Sequence, residues 1–281
     1  MSTDINAARK ARIEAAALEY CKQRFGRKVV KIGEEIHRSI KWRPSFYLSK
    51  GPVIFAVEVE ESLDGTIFKL SDNEIRQFAQ PIAVCLACSL DVFQADAKQA
   101  KVKELKRNGI GLITVDESDG VATQIPCIPL AQHFSEEFLM EKLRDLPPRL
   151  KVAFRTAHES FTVNPGPGLQ EASQIVEAIV DALALEAIKA GKLPSSAVNS
   201  GAADKIDALY DVFKQQRAAF GGARSFFKTY RNVTSHPARS AKEVMHRINV
   251  CRDGFFEAVR ISRELSQAAK SLSYTLKLHL G

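Results

Sequence analysis

The 281-residue chain has no apolar run approaching the ~20 residues that a bilayer-spanning helix requires. Its N-terminus, MSTDINAARKARIE, lacks the apolar core of a secretory signal and carries acids that a transit peptide avoids. Cysteine is sparse and odd in number: Cys21, Cys85, Cys88, Cys127 and Cys251 are scattered, a pattern expected of reduced thiols in a cytoplasm. The one close pair, Cys85 and Cys88 in AVCLACSL, lacks the second pair that a four-ligand zinc site needs, so both are expected to be core thiols. His37, His133, His158 and His279 have no partner at metal or triad spacing. A phosphate-binding glycine loop is missing too, because the GIG of residues 109–111 closes a helix instead of opening one. The expectation is a cytoplasmic protein with no membrane segment and no cofactor.

What the chain does have is an ordinary globular composition, 45% hydrophobic and 26% charged, and enough length for one large domain or two ordinary ones. Its net charge of +7 is unevenly placed. Up to Leu146 there are 21 basic and 21 acidic residues, and from Pro147 onward 19 and 12. Within residues 214–281 the count is 13 against 4. A basic concentration of that kind suits a polyanion partner, although a solvated basic face on a helical domain has the same composition.

Two different patterns divide the chain. Ile5 to Arg24 carries Ile13, Ala16, Ala17 and Tyr20 at helical spacing. Strand-like runs follow: SFYLS, VIFAVEVE, TIFKL, PIAVCLA and GLITVD, with a helix over Ala97–Arg107 before the last of them. From Pro147 the strand signal fades. Pro165 and Pro167 in VNPGPGL are expected to exclude a continuous helix there. Helices are predicted over Leu169–Ala190, Ala203–Gln216, Ala223–Ser235 and Ala241–Ser273. The last has Val244, Ile248, Cys251, Phe255, Ala258 and Leu265 on one stripe. The reading is an α/β domain over residues 1–146 and an all-α domain over 147–281.

One stretch of the second domain carries chemistry, FFKTYRNVTSHP from Phe226 to Pro237. Ala223, Phe227 and Tyr230 form an apolar stripe; Arg224, Lys228 and Arg231 form an adjacent cationic one. On an unbroken helix five residues turn a side chain by ~500°, leaving His236 ~140° from Arg231. Pro237 breaks the helix by forcing the residue before it out of the α region. Ser240 and Glu243 then form an S-x-x-E capping box for the next helix. His236 therefore sits at a corner from which its ring can turn back to Arg231. A histidine that titrates near neutrality can move a proton on a ribose hydroxyl or a leaving oxygen. An arginine can hold the phosphate and the charge developing on it, and Asn232 can orient either through its amide. Arg224 and Lys228 are candidate RNA-binding cations.

YRNVTSH within a C-terminal helical region resembles the R-x4-6-H signature of the HEPN superfamily, many of whose members are metal-independent ribonucleases. The likeness covers roughly Pro147 to Gly281. It implies that Arg231 and His236 are catalytic, that Asn232 supports them, and that cleavage leaves a 2′,3′-cyclic phosphate. It also implies pairing of two domains around one cleft, here a homodimer through the C-terminal helices, and roles such as phage defence or a toxin. Pro237-Ala238 departs from the tyrosine that some toxin members carry two residues after the histidine.

VIFAVEVE is the other suggestive stretch. On a strand Glu58 and Glu60 share a face, and paired carboxylates can hold Mg²⁺. Residues 1–130 resemble the PD-(D/E)xK restriction-endonuclease-like fold in degenerate form. Glu58 matches the family pattern, Ser45 replaces its first aspartate and Glu60 its lysine. The resemblance implies a nuclease-like domain without activity, or otherwise a divergent Mg²⁺-dependent DNase. Against an endoribonuclease stands a reading from another class, a non-catalytic nucleic-acid-binding or scaffold protein.

Overall fold

The computed structural model describes residues 2–25, 30–63, 72–96, 99–116, 118, 120–230 and 238–278. The chain forms two compact units, Met1–Glu136 with Ala238–His246, and Glu137–Pro237 with Arg247–Gly281. The second unit thus begins ahead of the Pro147-Pro148 pair.

The first unit is built on a mixed sheet of six strands in sequence order: β1 (Lys31–Ile32), β2 (Phe46–Lys50), β3 (Val53–Val59), β4 (Ile82–Ser89), β5 (Gly111–Val115) and β6 (Val121–Ile125). β1, β2 and β3 form an antiparallel meander, β3, β4 and β5 are parallel, and β6 returns antiparallel. Parallel neighbours require crossovers. The first contains α2 (Asp72–Arg76), the second α3 (Leu90–Ala95) and α4 (Ala100–Asn108). Strand β4 is buried on both faces, which is why IAVCLACS reads as one continuous apolar run. The edge strand β6 alternates instead, and its VATQI carries too little hydrophobicity to stand out in the sequence.

Helices cover both faces of the sheet. α1 (Ser2–Phe25) lays Ile13, Ala17 and Cys21 against Phe46, Leu48, Phe55, Val57 and Val59. Ile75 and Leu105 pack the opposite face, over Ile54, Ala56, Val84, Leu86 and Leu112. Helix α4 stops at Gly109, which takes the left-handed conformation (φ 75°), as NGIG predicts. The predicted strand TIFKL lies outside the described residues.

Cysteine chemistry departs from expectation. Cys85 of β4 is bonded to Cys127 instead of being a free core thiol. Its neighbour across the ladder is Gly111, where a Cβ would stand 2.5 Å from the Cys127 sulfur. Spacing along the chain could not reveal this pair, because β5 and β6 lie between its members. Cys21, Cys88 and Cys251 are free and buried, and burial pushes their pKa values up to about 12, 12 and 11. Protonated and enclosed, these three are inert.

In the second unit α5 (Glu136–Lys142), α6 (Pro148–Val163), α7 (Pro165–Lys189), α8 (Ala202–Val212), α9 (Arg217–Tyr230) and α10 (Ala241–Ser271) supply the structure, and among the described residues no strand follows Ile125. α10 joins this unit from Arg247 onward. Central α7 buries Leu169, Ile175, Val176, Ile179, Val180 and Leu183. Phe255 of α10 sits edge-on to Phe154 and Phe161 of α6, with centroids 5.9 and 5.4 Å apart. The described stripe from Ile248 to Leu265 on α10 is buried within this core.

Several helix boundaries differ from the sequence reading; α8, for one, stops at Val212 instead of running to Gln216. Pro165 and Pro167 lie inside the first turn of α7, where a missing N–H costs nothing. The break falls at Asn164, whose extended backbone ends α6 and whose side chain accepts a bond from the Gly166 amide at 3.2 Å. Likewise α9 does not start after Gly221-Gly222 but runs through them. A Cβ on Gly222 would stand 2.8 Å from Ile261 Cδ1, so close packing on α10 compensates the poor helix propensity of the pair. No described helix is long and apolar enough to cross a membrane.

Candidate functional site

Arg231, Asn232 and His236 lie in residues 231–237, outside the described residues. Both flanks are defined. On one side α9 ends at Tyr230, whose ring lies against Gly254 of α10. Burial raises the Tyr230 pKa, helped by the charges of Glu257 and Asp253. On the other side the capping box forms as the sequence predicts. Glu243 N–H donates to Ser240 Oγ at 3.2 Å, and Glu243 Oε2 accepts from the amides of Ser240 (3.2 Å) and Arg239 (2.6 Å). The motif thus follows a helix seated by an aromatic ring and precedes a helix with a satisfied N-terminus.

The cationic side of α9 is exposed, as predicted. Arg224 is held by Asp207 of α8, Nε to Oδ1 3.0 Å, while Lys228 is exposed one turn on. The core stripe is Phe220, Ala223 and Phe226; Phe227 and Tyr230 are half-buried beside it. Elsewhere in the basic segment Arg260 pairs with Glu257 and Glu264, and the Arg217 guanidinium lies 5.0 Å from the Tyr210 ring centroid. Local acids therefore neutralise part of the positive charge, and exposed pairs of this kind exchange readily for other anions.

In the sheet unit Ser45 and Glu58 are in contact. Half-buried Glu58 accepts from Trp42 Nε1 at 3.1 Å and Ser45 Oγ at 3.3 Å, and Ser45 Oγ accepts from the Val59 amide at 3.0 Å. Burial raises the Glu58 pKa; the bonds from Trp42 and Ser45 oppose this, and nearby Glu60 adds to it. Glu60 continues the strand, its amide donating to Ala87 O at 3.0 Å. Among the described residues no group of three His, Cys, Asp or Glu side chains is placed to hold a metal ion. A carboxyl satisfied by an indole and a hydroxyl is suited to support more than to cation binding.

No protein-family model, curated protein or solved structure matches this chain.

Three features around these positions are not legible in the sequence. Gly254 as the seat of Tyr230 looks like any helix-breaking glycine until α9 is placed on it. Trp42 as the partner of Glu58 comes from a loop. The third is a run of oppositely charged pairs in the first unit. Arg9 is bonded to Asp91 and Arg12 faces Asp116, and Lys10 is close enough to Glu58 to lower its pKa. These acids belong to or follow three successive parallel strands, β3, β4 and β5, an arrangement that only the folded sheet creates.

Proposed function

We propose that the helical unit is a HEPN-type endoribonuclease. The observation that carries this reading is R-N-x3-H, Arg231 to His236, placed between a helix ending at Tyr230 and one capped at Ser240. In the proposed reaction His236 takes the proton from a ribose 2′-hydroxyl. The 2′-oxygen attacks the adjacent phosphorus, the P–O5′ bond breaks, and the departing 5′-oxygen receives a proton. Arg231 stabilises the charge on the phosphoryl oxygens, and Asn232 orients the ring or the phosphate. Arg224 and Lys228 extend the cationic side along the RNA, with Arg224 exchanging Asp207 for phosphate.

A single histidine serves as base or as acid. Two copies paired through the C-terminal helices supply both roles and gather two basic segments around one groove. Charge repulsion opposes that pairing only within the Debye length, ~8 Å at physiological salt. The first unit is read as a degenerate restriction-endonuclease-like domain, supported by its antiparallel meander followed by a parallel strand and by the Ser45–Glu58 contact. It recognises a partner or restrains the ribonuclease.

The test is incubation of the purified chain with mixed cellular RNA in EDTA. Products ending in 2′,3′-cyclic phosphate are expected, together with a dimer by sedimentation. RNA that is bound and left intact favours the non-catalytic reading, and cleavage only with Mg²⁺ favours the sheet unit.

A further inference from the structure

At the carboxyl ends of β4 and β5 the first unit holds an open cavity of about 230 Å³, well above the ~10–15 Å³ that one water requires. Arg9 and Arg12 of α1, Ser89, Asp91, Gln94 and Asp116 supply its polar walls. Ile13 and Val115 make the floor. Arg9 and Arg12 are three residues apart on α1, so both guanidinium groups reach one side of the cavity. Ser89, almost fully buried, donates to Asp91, and the Gln94 amide adds a neutral donor.

The acids at this site are its internal counter-ions. Arg9 Nη2 bonds Asp91 Oδ2, and both side chains are largely exposed, at 41% and 61%. Ser89 also donates to Asp91, and Arg9 and Ser89 together hold the pKa of this carboxyl down to about 2. Because both partners of the ion pair face solvent, an anion that takes over the same two donors replaces it. Asp116 is occupied differently: it accepts from Ser118 Oγ at 2.9 Å and from the Gly120 amide, bonds that fix its own turn. Asp91 thus occupies the donors that a ligand needs, while Asp116 is fixed by its own turn. The entering group must be an anion with several acceptor oxygens, because two guanidinium forks, a hydroxyl and an amide all present N–H or O–H. A tetrahedral phosphate meets that demand better than a planar carboxylate, and the remaining volume leaves room for a compact ester group.

We propose that this cavity is a phosphate-monoester site, in which the ligand displaces Asp91 from Arg9 and Ser89 and is clasped by Arg9, Arg12, Ser89 and Gln94. The proposal is independent of the ribonuclease reading, since none of these residues belongs to the helical unit.

Calorimetric titration of the full chain with inorganic phosphate tests it, with AMP as a monoester and acetate as a carboxylate, all at matched ionic strength. Saturable binding of phosphate and AMP is expected, with acetate weaker. Asp91→Asn removes the competing carboxylate and should tighten phosphate binding by about tenfold. Arg12→Gln should weaken it by about tenfold or more, the loss of one hydrogen bond to a charged group. Both substituted positions lie towards the surface, and circular dichroism checks that each variant is folded. The site is overturned if phosphate fails to bind wild type and Asp91→Asn alike, if Asp91→Asn weakens binding, or if Arg12→Gln leaves it unchanged.

Discussion

Tyr230 rests on Gly254: a Cβ at position 254 would stand 2.6 Å from Tyr230 Cδ1, and 2.9 Å from Leu169 Cδ1. The residue immediately before Arg231 is therefore located by the absence of a side chain on α10. Gly254→Ala forces the ring outward and should destabilise the helical unit by roughly 1–3 kcal/mol, as overpacking does. Urea unfolding measures this; a variant as stable as wild type would show that Tyr230 has another place to go.

If the helical unit is the proposed ribonuclease, His236→Ala should reduce RNA cleavage by ~10²-fold or more, a usual contribution from a general acid or base. A purely catalytic role leaves its urea midpoint at the wild-type value. Equal cleavage rates would remove His236 from the mechanism.

Glu58→Gln should leave RNA cleavage nearly intact. Its effect appears in the pH dependence of stability. Burial raises the folded pKa of Glu58 above its unfolded value, so the folded chain holds this proton more tightly than the unfolded one. The resulting stabilisation is full below the unfolded pKa and disappears as pH rises through the folded one. Wild type should therefore gain stability relative to Glu58→Gln between pH 7 and pH 4. A constant difference across that range contradicts the assignment.

Cys127→Ser removes a cross-link between residues 42 apart and should cost about 2–4 kcal/mol, the range for disulfides closing loops of this size. Thermal unfolding of wild type should shift down on adding dithiothreitol, and that of the variant should not. A wild-type melting temperature insensitive to reductant would count against the bond.

Ser240→Ala should cost about 0.5–2 kcal/mol through loss of the α10 cap. Hydrogen exchange at the Glu243 amide, which Ser240 Oγ accepts at 3.2 Å, reads this locally: faster exchange is expected, and an unchanged rate refutes the cap.

Sequence legibility followed locality. α1, β2, β3, β4, β5 and the Ser240–Glu243 cap were readable because period, β-branched content and capping spacing are properties of neighbouring residues. α6 is hard to read although Leu150, Phe154, Ala157 and Phe161 recur at helical spacing, since PPRL at its start reads as punctuation. The helical glycines of α9 misled for a related reason: propensity is local, whereas Gly222 answers to Ile261 on another helix. The Cys85–Cys127 bond and the phosphate cavity were invisible for the same cause. Their members come from segments that only the order of the strands brings together.

The Cys85–Cys127 bond also closes a covalent ring around the polypeptide that contains β5 and β6. A protease cut anywhere inside this ring leaves one molecule, whose fragments separate only after reduction. Peeling of β6 from the sheet border is tethered in the same way, so this edge strand is leashed to the middle of its own sheet. Oxidation therefore guards this border against strand swapping, and a reducing environment lifts the guard.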